Sequence, residues 1–205
     1  MKESFSNNSG GQVEYFTVSD GAFVKRVKEP TEASTTRTNK NGQEVHEERY
    51  KALTGLIVSA EIRESQFGRD WSFTVLHPAG KYIIQMPYGS RYATDLAKRF
   101  RNLRTADPIR LMPWMMTDEA SGKKRSGLSL SQISEDGQLH KVEPFYTRDS
   151  AEQLPQLKQV KVSGKMVWDS TELDEAVEAI LLQFNSQQAA EPMGENNEPE
   201  EEAPF

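Results

Sequence analysis

The chain has 205 residues, 31 Asp and Glu against 25 Lys and Arg, no cysteine and three scattered histidines. That length suits one compact domain, and the missing thiols exclude a disulfide framework and every thiolate metal site. No apolar run approaches the ~20 residues that span a bilayer, and MKESFSNNSGGQ lacks the apolar core of a signal peptide, so a cytoplasmic protein is expected.

Residues 1 to 12 are polar and rich in Gly, Ser and Asn, and are expected to fray. VEYFTV at 13 to 18 and AFVKRV at 22 to 27 read as two strands around a Ser-Asp-Gly turn. The stretch from Glu29 to Gln43 has no apolar period and reads as a mobile loop. From Arg49 to Glu64, Leu56, Val58, Ala60 and Ile62 alternate with Ile57, Ser59, Glu61 and Arg63, which predicts a half-buried strand, with Gly55 marking a bulge or a bend. The turn SQFGR leads to DWSFTVLH, where Trp71, Phe73 and Val75 share a face, and the turn His77 to Gly80 leads to KYIIQMPY.

Ser90 caps a predicted helix from Arg91 to Arg104, with Tyr92, Leu96, Phe100 and Leu103 on one face. Two strands follow, at 108 to 116 and 125 to 133, joined by the polar, basic connection TDEASGKKRS. Segments 138 to 146 and 161 to 168 each read as a further strand. Asp169 or Ser170 caps a last helix carrying Leu173, Val177, Ile180, Leu181 and Phe184 on one face. From 185 to 205 the composition is too polar to repay the entropy of ordering.

The order strand, strand, strand, helix, strand, strand is that of the five-stranded Greek-key barrel called the oligonucleotide-binding (OB) fold, with its helix between strands three and four. The reading is therefore a mainly β domain over 13 to 184, a barrel core at about 50 to 133 with extensions at both ends, and a disordered acidic tail. In that fold the ligand crosses strands two and three, flanked by the first-second and fourth-fifth loops. These would be SQFGR and TDEASGKKRS.

Charge is unevenly placed. Six glutamates and no Lys or Arg fall between Glu191 and Phe205; without them the acidic and basic residues of the body balance. Between Lys81 and Arg125, ten basic residues face four acidic ones. Unpaired nucleic acid is held by Lys and Arg that follow phosphates and by rings on which bases stack. The candidates are Arg63, Phe67, Arg69, Trp71, Lys81, Tyr82, Tyr88, Arg91, Arg110, Trp114, Lys123, Lys124 and Arg125. Phe73, Phe100 and Tyr92 are assigned to the core, since aromatics at alternating strand positions are ordinary core residues.

Glu200, Glu201, Glu202, Ala203, Pro204 and Phe205 end the sequence on an apolar pair behind carboxylates. Here the chain resembles the single-stranded-DNA-binding proteins of bacteria and their phages, which join this barrel to an acidic tail ending in Phe. Its Glu-rich rather than Asp-rich tail and its long additions at both ends look more phage-like than cellular. The resemblance implies protection of single-stranded DNA in replication, recombination and repair. It further implies recruitment of a polymerase, primase, helicase or recombinase through Glu200, Glu201, Glu202, Pro204 and Phe205. The expected state is a monomer or homodimer, with no membrane partner and no cofactor or metal. Nothing matches a catalytic motif, so a non-enzymatic protein is expected. The alternative is a protein-interaction adaptor or virion-assembly module that binds no nucleic acid.

Overall fold

The computed structural model describes residues 13 to 188 apart from positions 67 and 135. The segment 1 to 12 expected to fray, Phe67 and the tail motif at 200 to 205 lie outside the described residues. β1 (Val13–Ser19) and β2 (Ala22–Val27) form the expected hairpin. Its two loop residues, Asp20 and Gly21, both have positive φ (48° and 70°), as a two-residue type I′ loop requires. The segment read as a mobile loop instead contains β3 (Ser34–Thr38), paired with β4 (Glu44–Tyr50). β3 escaped notice because it is an edge strand exposed on both faces, so it needs no apolar alternation; its threonines suit extended backbone.

β5 (Leu53–Ser65), β6 (Gly68–His77) and β7 (Gly80–Pro87) are the predicted meander. β5 changes partner along its length: Leu53 to Gly55 pair with β8 (Ile109–Thr117), and Leu56 onward with β6. A bulge between Ile57 and Ser59 shifts the phase. As a result Leu53 and Ile57 are buried before the bulge and Ala60 after it, while Leu56 and Val58, expected on the same buried face as Ala60, are half exposed.

The expected helix from Arg91 to Arg104 is shorter. α1 (Arg91–Ala97) ends before a 3-10 turn at Phe100–Asn102. The Lys98 carbonyl accepts from the Phe145 and Tyr146 amides at 2.7 and 3.2 Å, so it is taken before another α-turn can use it. Ser90 caps α1 as predicted, its side chain accepting from Ala93 N–H. β8 continues into β9 (Lys124–Ile133) and a short β10 (Leu139–Lys141). The stretch read as one strand at 161 to 168 is a hairpin, β11 (Lys158–Val162) and β12 (Lys165–Asp169), turned by Ser163 and Gly164.

The ten strands β1 to β10 form one mixed sheet in the order β10-β9-β8-β5-β6-β7-β1-β2-β4-β3, while β11 and β12 pair only with each other. The fold is mainly β, but no closed barrel forms. The edge of β7 that would complete a five-stranded ring is occupied by β1, which lies parallel to it from Val13↔Lys81 to Thr17↔Gln85. The β1–β2 turn reaches β8 instead: a Cβ on Gly21 would lie 2.5 Å from Met115 N.

α2 (Thr171–Leu181) and α3 (Gln183–Gln188) follow. α2 buries Val177, Ile180 and Leu181, as its periodicity predicts. Phe184 on α3 is 1% exposed and meets Phe100 edge-on at 4.6 Å between centroids, a burial of roughly 1.5–3 kcal/mol. The Asn185 side-chain amide donates to Ala60 O (2.8 Å) and accepts from Ala60 N (3.0 Å). It stands in for a neighbouring strand on the free edge of β5, so the folded body extends past 184. Among the described residues, no helix is long and apolar enough to cross a membrane.

Candidate nucleic-acid interface

The predicted site residues do not form one cluster. Arg110, Trp114 and Arg125 come together. Arg110, Met112, Trp114 and Met116 alternate along one face of β8, and the register places Ser131, Ser129, Gly127 and Arg125 opposite them on β9. Leu111, Pro113, Leu128 and Leu130 are buried on the other face, so the first set points away from the core. Met112 and Met116 are exposed and Trp114 is half-buried.

Gly127 is what lets the indole lie there. A Cβ at this position would stand 2.5 Å from Trp114 Cζ2 and 2.5 Å from Asp95 Oδ2. The buried Asp95 accepts from Leu128 N–H at 3.0 Å, tying α1 to the β9 edge. At the end of this ribbon Lys123 and Lys124 are exposed. Asp118 orders the connecting loop through Ser121, whose backbone N–H and hydroxyl donate at 2.8 and 2.9 Å. Those bonds, the backbone one foremost, hold the Asp118 carboxyl below its usual range. Its charge lies 3.6 Å from Arg125, which is thereby partly neutralised.

Arg69, Trp71 and Tyr88 have a different task. The Arg69 guanidinium sits 4.0 Å from the Tyr88 ring centroid, Tyr88 stacks on Trp71 at 5.8 Å, and Trp71 stacks on Phe73 at 5.7 Å. Arg69 and the Tyr88 hydroxyl both bind the Glu178 carboxylate, with the arginine at 3.1 Å. This column fastens α2 to the sheet. Burial, then the bond to Glu178, pushes the Tyr88 phenol up to about 12. Trp71 is wholly buried and presents no ring to a base, because it faces the interior with Phe73. Tyr82 is corrected in the same way: it is 2% exposed, edge-on to Phe16 at 5.7 Å and bonded to His77.

The rest stand apart. Arg63 and Lys81 are exposed at the ends of β5 and β7, with Arg63 3.7 Å from Glu61. Arg91 begins α1 and lines a cleft of about 520 Å³ with Lys98 and Arg148. On the outer face of β6 and β7, where an OB-fold ligand would lie, Ser72 and Ile83 are buried, leaving Thr74, Lys81 and Gln85 and no aromatic ring of its own. Two exposed rings went unnoticed in the sequence: Tyr15, 55% exposed on β1 beside Ile83, and Trp168 on β12. The alternation of Tyr15 with the buried Phe16 and Val18 was the available signal for the first.

No family model, curated protein or solved structure matches the chain. Among the described residues, no group of three His, Asp or Glu is placed to hold a metal ion.

Proposed function

We propose that this protein binds single-stranded DNA non-enzymatically and offers its acidic C-terminal segment to proteins of replication or recombination. One observation carries the reading: a half-exposed indole, Trp114, stands between two guanidinium-bearing positions, Arg110 and Arg125, on an outward strand face that ends in Lys123 and Lys124. Stacking on such a ring contributes ~1–3 kcal/mol per base, and the cations supply the salt-dependent remainder. The run β5-β6-β7-α1-β8-β9, with β5 paired to both β6 and β8, supports reading these strands as an OB arrangement opened by β1.

The adaptor alternative draws on the exposed Met112, Met115 and Met116, since methionine is enriched at protein interfaces. Anisotropy of a labelled oligothymidine titrated with the full chain separates the two: binding that weakens with salt is expected. Removing residues from Glu191 onward takes away six like charges that compete with phosphates, and should tighten binding at low salt. An oligonucleotide ignored at low ionic strength by both the full and the shortened chain overturns the reading. Equal affinity for matched RNA would widen it to single strands of either sugar.

A further inference from the structure

The β11–β12 hairpin is the least covered part of the described chain. Every residue from Lys161 to Trp168 is exposed, and Trp168, at 66%, is the most exposed of its large apolar side chains. Ser163 and Gly164 both have positive φ (49° and 82°), giving the hairpin the two-residue turn whose twist matches its strands. Lys158 is ion-paired with Glu172 at the start of α2. Apart from that tie, the hairpin shares no ladder with the large sheet. An isolated pair of strands is marginal in water, so a projecting ribbon with so large an apolar ring calls for an occupant.

The register identifies which side chains act together. Gln159 pairs with Trp168 and Lys161 with Met166, so these four share one face; Lys165, opposite Val162 beside the turn, lies on the other. Lys161 is thus the diagonal neighbour of Trp168, within reach of a long side chain. Among the described residues, neither Lys161 nor Lys165 forms an ion pair. Between 158 and 169 the hairpin carries Lys158, Lys161 and Lys165 against Asp169 alone, in a chain whose formal charge is −6. Lysines on both strands disfavour pairing with another copy of the hairpin. The same charges attract a polyanion, and an exposed ring beside them is the pairing that unpaired bases use.

We propose that this hairpin is a second contact point for single-stranded DNA, with Trp168 stacking on a base, Lys161 beside it on the same face meeting a phosphate, and Lys165 at the turn adding positive charge from the other face. The inference rests on the function proposed above, and the positions of the three tryptophans allow the two to fail separately. Trp71 is buried and its emission forms a background that base stacking does not reach. In full-length W114F only Trp168 is left to report contact; in W168F only Trp114 is.

Each variant is titrated with oligothymidine at low salt while its emission is followed. Quenching in both is expected, with W168A weakening the dissociation constant by about 5- to 150-fold, the equivalent of one lost stack. K161A/K165A should flatten the salt slope by up to ~0.7 per phosphate contact. Quenching in W168F alone overturns the hairpin site and leaves the β8–β9 site standing. Quenching in W114F alone keeps the hairpin and removes the β8–β9 face. No quenching in either, with no anisotropy change, removes both. Unquenched Trp168 in a protein whose sedimentation shows dimers that W168A abolishes would mean that the hairpin meets a second copy of the chain, and the inference would be wrong.

Discussion

Replacing Trp114 with Ala removes the one described indole that lies among the gathered cations. If one base stacks there, ~1–3 kcal/mol of binding is lost. At about 1.4 kcal/mol per decade the dissociation constant rises by about 5- to 150-fold. The same change uncovers Gly127. Deleting a fully buried Trp costs ~3–5 kcal/mol, and about half of that is expected for a half-buried ring, a loss that a domain of ~5–15 kcal/mol survives in folded form. Urea unfolding of W114A establishes that it is folded, and anisotropy with labelled oligothymidine then reads affinity. W71F is the control: it disturbs the column of Arg69, Tyr88, Trp71 and Phe73 and should lower the urea midpoint without changing affinity. A folded W114A that binds as tightly as the parent, or a W71F that loses affinity, would refute the assignment of the β8–β9 face.

Three further changes probe the β5 edge, the Arg37–Glu47 pair and the basic end of the ribbon. N185A deletes both hydrogen bonds to Ala60 and should cost about 1–3 kcal/mol at ~0.5–1.5 kcal/mol each; an unmoved urea midpoint would show that α3 is not what satisfies the β5 edge. Hydrogen bonding from Arg37 holds the Glu47 carboxyl below its usual range despite burial. The bond therefore stabilises the fold above that range and ceases to do so as pH falls through it, so E47Q should show a shallower decline in Tm between about pH 7 and about pH 3 than the parent. Parallel declines would contradict this. Changing Lys123, Lys124 and Arg125 together to Ala should flatten the salt dependence of DNA binding by up to ~0.7 per lost contact, with Arg125 contributing least because Asp118 already faces it. An unaltered slope would exclude this end of the ribbon.

The strands of the meander, the β8–β9 pair and the apolar stripe of α2 were legible because their alternation or helical period is imposed by one buried face. Trp71 was legible too: it shares its face with Phe73 and Val75, so period 2 alone assigns it to the interior. Only its residue type, not its position, favours a stacking role. Other features leave no local trace. The bulge at Ile57 and Ser59 inserts one residue into an unbroken apolar run, and only pairing with β6 reveals the phase change. Nor does VEYFTV announce that it will lie parallel to a strand beyond the whole β2–β6 segment, which is why the ring was expected to close. The hairpin bearing Trp168 was readable from Ser163-Gly164 between two valine-containing stretches, a turn dipeptide absorbed into a single strand.

The parallel pairing of β1 with β7 also sets an order of events during synthesis. Val13 waits for Lys81 and Thr17 for Gln85, while the β1–β2 and β3–β4 hairpins use near neighbours and can form as they leave the ribosome. Throughout that interval β1 exposes a bare row of amides and carbonyls to other nascent chains. Pairings so distant in sequence form slowly, so the yield of soluble protein depends on how soon β7 arrives to cover that row.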